Sequence, residues 1–255
     1  MIHVRDNKKT VRFILIGNAR TGTGYLRSSI DNHPNAFCLG EILHPKQKSV
    51  RSRAHSNYFK DNEYLNLSAD DENTQRTIQY LDNKIWPQCR PDFSFGFKLL
   101  YYQIDDLNLW KYLSSKKTEI RIVHIIRNPI AVYVSHQQAY LTQNWISFEG
   151  EKKSAAKPIS IDIKHFLGHL NEVEKKYKQI KKISTKIEQV NYEELVMNYQ
   201  MTLNRVYDFL ELPPHKARSK LVKQQGWSIE NRIKNFDEFS TQLPYKYRYL
   251  LENMF

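Results

Sequence analysis

The stretch Phe13-Ile-Leu-Ile-Gly17-Asn-Ala-Arg20-Thr21-Gly22-Thr23-Gly24-Tyr25-Leu26 runs from an unbroken apolar segment through a turn of small residues into an amphipathic pattern. A short apolar run closed by glycine is the signature of a buried strand, and the spacing after Gly24 is helical. Strand, tight turn and helix N-terminus together make an anion site. Glycines let the backbone approach an anion, successive N–H groups point into the turn, and the helix end adds partial positive charge. Thr21 and Thr23 add hydroxyl donors, Arg20 adds a fork of charged donors, and Gly24 and Tyr25 open the helix.

The spacing Gly17-x4-Gly22 matches the start of a nucleotide-triphosphate P-loop, but Thr23-Gly24 stand where that loop needs Lys and then Ser or Thr for the outer phosphates and magnesium. Nor is this the dinucleotide fingerprint, because Arg27 occupies its third glycine position. A purely structural strand–turn–helix is the competing reading.

Further strand-like runs, rich in β-branched and aromatic residues, lie at 36–40, 94–100, 120–126 and 186–191, beside the first at 12–17. Helical patterns lie at 24–32, 129–143, 162–182 and 200–212, the last expected to stop at Pro213-Pro214, and the tail from 216 reads as mostly helical and irregular. Strands alternating with helices predict an α/β, P-loop-like three-layer fold: a central parallel β-sheet flanked by helices. The polar, weakly periodic segments 44–92 and 143–160 are expected to be long loops over the sheet, and residues 1–255 a single domain.

The 255 residues carry 39 Lys and Arg against 27 Asp and Glu, a formal net charge of +12, with 40% apolar and 13% aromatic residues. That is enough apolar content for a core, which excludes wholesale disorder. No apolar run nears the ~20 residues that span a bilayer, and the charged N-terminus lacks the apolar centre of a signal peptide, so a cytoplasmic location is expected. Cys38 and Cys89 belong to no paired motif and are expected to be free thiols. The positive balance suits a nucleic acid, an anionic surface or a small polyanion, and composition does not choose among them. The lysine-rich stretch 152–186 has helical spacing and reads as a solvated face.

A second motif, Ile122-Val-His-Ile-Ile-Arg127-Asn-Pro129-Ile-Ala-Val-Tyr-Val-Ser135, is a strand that delivers an arginine to its carboxyl end, followed by a proline-initiated helix carrying a serine. Open α/β sheets bind ligands at that edge. Together the two motifs resemble the cofactor signatures of sulfotransferases that use 3′-phosphoadenosine 5′-phosphosulfate (PAPS). In that family an R/K-x-G-T loop holds the 5′-phosphosulfate, and an Arg and a Ser eight residues apart, here Arg127 and Ser135, hold the 3′-phosphate. The stretch Tyr192-Glu-Glu-Leu195, with Phe209-Leu-Glu-Leu212 after it, resembles two further family segments in the right order. The resemblance spans roughly 12–43, 94–143 and 186–240. It implies that Tyr192 lies near the adenine, with strand-end packing as its equal rival. Trp227 is a weaker candidate for stacking on the base.

Sulfuryl transfer to a hydroxyl needs a base for the proton and positive charge at the departing oxygen. It needs no metal in principle. Arg20 and Lys98 are the candidate cations; a lysine inside the apolar run 94–100 requires a partner or a route to the sheet edge. Phenol and steroid members of the family place a histidine two residues after such a lysine, where this chain has Leu100. The carbohydrate-directed Golgi and bacterial members use a glutamate after the next strand, which here falls on Glu41, with His44 as the local competitor. The resemblance therefore implies PAPS and a hydroxyl-bearing acceptor, a glycan or glycolipid, as partners, with no nucleic acid.

The rival functions are a P-loop kinase or NTPase and a basic nucleic-acid-binding module, for which the aromatic and basic run Pro244-Tyr-Lys-Tyr-Arg-Tyr-Leu is the best segment. His165 and His169 have the i, i+4 spacing of metal ligands but no obvious third ligand, and read as surface histidines.

Overall fold

The computed structural model describes residues 10–44, 71–91, 93–143, 145, 157–184, 186–216, 218 and 228–252. Five strands, β1 (Val11–Gly17), β2 (Ala36–Leu39), β3 (Ser94–Leu100), β4 (Ile120–Ile126) and β5 (Ile187–Asn191), form one sheet in the order β2-β3-β1-β4-β5. Every pairing is parallel, with Gly17 in register with Leu100 on one side and Ile125 on the other.

Each inner strand is covered on both faces, and the two-residue period of a strand divides its side chains between them. In β1, Ile14 and Ile16 join one apolar cluster with Phe97, Leu99 and Ile122, while Phe13 and Leu15 join the opposite one with Val123 and Ile125. Helices α1 (Thr23–Ile30), α7 (Tyr192–Met197) and α8 (Tyr199–Phe209) close the second face through Leu26, Leu195 and Tyr207. Helices α3 (Tyr101–Asp106), α4 (Trp110–Ser115) and the C-terminal end of α6 (Ile163–Ile183) close the first. A third cluster binds α5 (Pro129–Thr142), the start of α6, α9 (Phe236–Gln242) and a 3₁₀ turn at Tyr245–Leu251. The expected three-layer α/β architecture is present.

Three expectations are corrected. Within 44–92, helix α2 (Asp71–Tyr80) continues into a π turn at Leu81–Ile85 and a 3₁₀ turn at Trp86–Gln88. It reads as polar because two of its buried positions are threonines; their hydroxyls donate to the carbonyls of Leu107 and Asn73. Helix α8 ends at Phe209, before the prolines. Glu211 adopts φ 57°, the Leu212 N–H reaches back to the Tyr207 carbonyl and the Glu211 N–H to that of Asp208, a Schellman end. Within 143–160, Ile159 forms a parallel bridge with Ile233 and ties the tail to the body. Residues 45–70 and 146–156 of the expected loops lie outside the described residues, as do most of 216–227, including Trp227, and the expected N-terminal segment 1–9.

This order has one functional consequence. The chain leaves β1 toward β2 on one side and later returns to place β4 on the other, so the carboxyl ends of β1 and β4 flank the switch point of the sheet, where a crevice forms.

Candidate active site

The turn after β1 occupies that crevice. A Cβ on Gly17 would come within 2.9 Å of the Ile125 carbonyl, so glycine lets β1 end tightly against β4. Gly22 has φ 89° and caps α1 without any side-chain hydrogen bond, leaving the first-turn N–H groups of α1 without a side-chain cap. Arg20 also has positive φ, 69°, an uncommon conformation outside glycine that concentrates at functional sites. Thr21 and Thr23 are buried, and the Thr21 hydroxyl donates to the Asn18 carbonyl at 2.8 Å, so it braces the turn itself. Tyr25 turns away toward α8 and packs on Tyr199 with ring centroids 5.5 Å apart; burial and Tyr199 push its phenol up to about 12.

Arg127 leaves β4 beside this turn. Asn128 caps α5 by accepting from the N–H groups of Ile130 and Ala131, and Pro129 takes the first helical position, so strand and helix join without slack. The Arg127 guanidinium donates to the Arg20 carbonyl at 3.0 Å and lies over the Tyr192 ring at 4.3 Å. Its Nε is buried without a hydrogen-bond partner, and burial lowers its pKa. Tyr192, the first residue of α7, closes the other side: a Cβ on Gly22 would lie 2.3 Å from its ring. Arg20 reaches across, donating from Nε to Ser135 Oγ at 3.0 Å and from Nη1 to the Trp145 carbonyl. Burial and the neighbouring Arg127 charge pull Arg20 down to about 10.

Two strands away, Lys98 and Glu41 meet. β2 and β3 are parallel neighbours, with Leu39 paired to Phe97, so Glu41 beyond β2 and Lys98 near the end of β3 reach the same edge. Lys98 Nζ lies 2.7 Å from Glu41 Oε1, with the side chains 12% and 23% exposed. That pairing resolves the lysine in an apolar strand. Burial still lowers the Lys98 pKa, with Glu41 opposing the shift and Arg27 and Arg20 adding to it. Glu41 Oε2 has no hydrogen-bond partner among the described residues. His44 closes the same turn, its N–H donating to the Glu41 carbonyl at 3.1 Å.

The structure thus gathers Arg20, Gly22, Arg127, Ser135 and Tyr192 into one cluster and sets Glu41 and Lys98 beside it. Sequence reasoning missed Tyr102, an exposed tyrosine whose phenol is raised by desolvation and by the charge of Glu41, and Trp145, whose carbonyl meets Arg20. It also missed Arg232, a buried arginine whose Nε donates to Gln138 Oε1 at 3.0 Å. Helical spacing after Leu100 was the only signal for Tyr102, and none marked the other two.

His165 instead bonds the Tyr133 hydroxyl through Nδ1 at 2.7 Å, and His169 packs edge-on to the same ring. Cys38 and Cys89 are free, Cys38 fully buried with its thiol pushed up by burial. No described helix is long and apolar enough to cross a membrane. A cleft at the opposite end of the strands, lined by Arg12, Arg121 and Lys186 among others, does not compete as an anion site, because each of these cations is engaged by protein: Arg12 with Glu119, Arg121 with Glu211 and Lys186 with the Thr118 carbonyl.

Comparison with known proteins agrees with this fold. The model of the sulfotransferase family matches residues 13–216. Nodulation protein H of Rhizobium tropici is 23% identical over 234 residues, covering 89% of this chain and 86% of the relative. Nodulation protein H of Rhizobium meliloti is 24% identical over 242 residues, covering 89% and 88%. Among solved structures, a sulfotransferase from Alicyclobacillus acidocaldarius shares the fold with a TM-score of 0.51 at 10% identity, covering 96% of this chain and 93% of that one.

Proposed function

The chain belongs to the sulfotransferase family, and from that premise we propose that it moves a sulfuryl group from PAPS to a hydroxyl of a carbohydrate or glycolipid, with Glu41 as the base. The observation that carries the donor assignment is the Arg127 guanidinium, buried at the switch point with an unpartnered Nε and stacked on Tyr192. A buried cation with unused donors fits a phosphate, and a bisphosphorylated nucleotide fits the two anion-binding features that converge there, the turn at Arg20–Gly22 and the Arg127–Ser135 edge.

PAPS, when bound, supplies the activated sulfuryl group. In this reading the turn and the first N–H groups of α1 hold the 5′-phosphosulfate, Arg127 and Ser135 take the 3′-phosphate, and Tyr192 bounds the base pocket. Arg20 bridges the two anion subsites and stabilises charge on the departing phosphate oxygen. Lys98 orients Glu41 through Oε1, so that Oε2 receives the acceptor hydroxyl proton as the oxygen–sulfur bond forms and the bridging bond breaks. Carbohydrate is proposed as the acceptor because a glutamate, and no histidine after Lys98, is positioned for that step.

Calorimetry with adenosine 3′,5′-bisphosphate, ATP and AMP, in EDTA and again with magnesium, on wild type and Arg127→Ala, tests the donor. Selective binding of the bisphosphate, lost in the variant, is expected. Magnesium-dependent preference for ATP would replace the reading with the kinase one, and salt-sensitive RNA binding indifferent to Arg127 with the nucleic-acid one.

A further inference from the structure

β2 is an edge strand, paired with β3 on one side only. An edge leaves backbone groups without a ladder partner. At Cys38 both groups are nonetheless bonded, and both partners come from the C-terminal end of α1. The Cys38 N–H donates to Asp31 Oδ1 at 3.1 Å, and Arg27 Nη1 donates to the Cys38 carbonyl at 3.1 Å. The same Nη1 lies 3.6 Å from Asp31 Oδ2, which closes the bracket. Two side chains one helical turn apart thus do for Cys38 what a neighbouring strand would do.

Helix energetics does not call for Asp31. It is the C-cap of α1, where the negative end of the helix dipole disfavours a carboxylate, and arginine before aspartate at i, i+4 is the weaker order for a helical ion pair. Nor does burial require the bracket, since the two side chains are 25% and 35% exposed and water would satisfy the strand edge there. What the bracket fixes is the position of β2 against α1. Three residues beyond Cys38 the chain reaches Glu41, whose Oε1 meets Lys98 Nζ at 2.7 Å. At the other end of α1 stand Gly22, its N-cap, and Thr23. One eight-residue helix therefore touches both the turn after β1 and the strand that leads to the glutamate.

We infer that Arg27 and Asp31 are positioning residues for Glu41: they lock the edge strand to α1, so that the helix bordering the nucleotide turn also sets where the base stands. The inference rests on the reading of Glu41 as the base. Neither side chain is itself a reacting group; each acts through the backbone of Cys38.

The test is a double-mutant cycle on PAPS hydrolysis, with water as the acceptor. The base takes a proton from water as its oxygen bonds to sulfur and the bridging bond breaks, giving sulfate and adenosine 3′,5′-bisphosphate. Arg27→Met keeps the stem and frees the Cys38 carbonyl. It should lower kcat about ten- to a hundredfold, the effect of a displaced catalytic group, with affinity for the bisphosphate by calorimetry within a few-fold of wild type. On a Glu41→Gln background the same change should cost less than about twofold, because no base is left to place. Asp31→Asn keeps an oxygen for the Cys38 N–H and should hold kcat within a few-fold. Asp31→Ala relieves the helix end but frees that N–H, and should lose kcat as Arg27→Met does. Equal losses with and without Glu41→Gln, no loss at all, or a parallel loss of bisphosphate affinity would overturn the inference and leave the pair as a cap on the sheet edge. If Arg27→Met fails to fold, Asp31→Ala set against Asp31→Asn runs the same cycle. Hydrolysis as fast in Glu41→Gln as in wild type would instead remove the base reading, so the two failures are distinguishable.

Discussion

Lys98 Nζ and Glu41 Oε1 lie 2.7 Å apart across the edge of two parallel strands, although 57 positions separate them in the chain. The ion pair accounts for a lysine in an apolar strand and orients the proposed base. Glu41→Gln keeps the shape and a hydrogen-bonding oxygen but cannot accept the proton. Turnover is expected to fall by ~10²–10⁴ with affinity for adenosine 3′,5′-bisphosphate nearly intact, as steady-state kinetics and calorimetry would show. Retained turnover with lost nucleotide binding would sink the assignment.

Gly22→Ala meets two obstacles, a φ of 89° and a Cβ 2.3 Å from the Tyr192 ring. The turn or α7 must shift, at a cost of about 1–3 kcal/mol. Urea denaturation should show that loss, and nucleotide binding should weaken with it. A variant as stable as wild type would mean that the turn is softer than its packing implies.

Tyr192 supports Arg127 with its ring face, at 4.3 Å from the guanidinium carbon. Tyr192→Phe keeps that face and should bind the bisphosphate within a few-fold of wild type. Tyr192→Leu removes it and should lose about 0.5–2 kcal/mol of binding. Equal behaviour of the two variants would assign Tyr192 to packing alone.

His124, buried in β4, faces the Tyr101 hydroxyl at 2.5 Å and has the Tyr177 ring edge-on at 5.3 Å. Burial, then the Lys181 charge, lowers its pKa from 6.5 to about 4. Between those values the unfolded chain binds the proton and the native state does not, so stability falls as pH drops from 6.5 toward 4, by about 3 kcal/mol from this group. Denaturation midpoints across that range should fall less steeply in His124→Gln than in wild type. Parallel slopes would show that His124 titrates alike in both states.

Local chemistry was readable directly from the chain. The turn after β1 needs glycines at fixed spacing, and Arg127 and Ser135 are set eight residues apart by one strand end and one helix, so both motifs carry their geometry within a short window. The strands were equally plain, because β1 and β4 are buried on both faces and read as largely apolar runs. Helix α2 was hidden because threonines fill buried positions where hydropathy expects aliphatics, and α8 stopped early because a Schellman turn at Glu211 precedes the prolines.

What sequence order alone carried was the parallel α/β sheet and the two site motifs, since hydrophobic period, glycine freedom and helix initiation act between near neighbours. The meeting of Glu41 with Lys98, the closing of Tyr192 over Gly22 and Arg127, and the burial of Arg232 against Gln138 belong to the tertiary structure. Each joins segments tens of residues apart, and only the strand order β2-β3-β1-β4-β5, with the tail folded back onto α5, brings them within hydrogen-bonding or stacking reach.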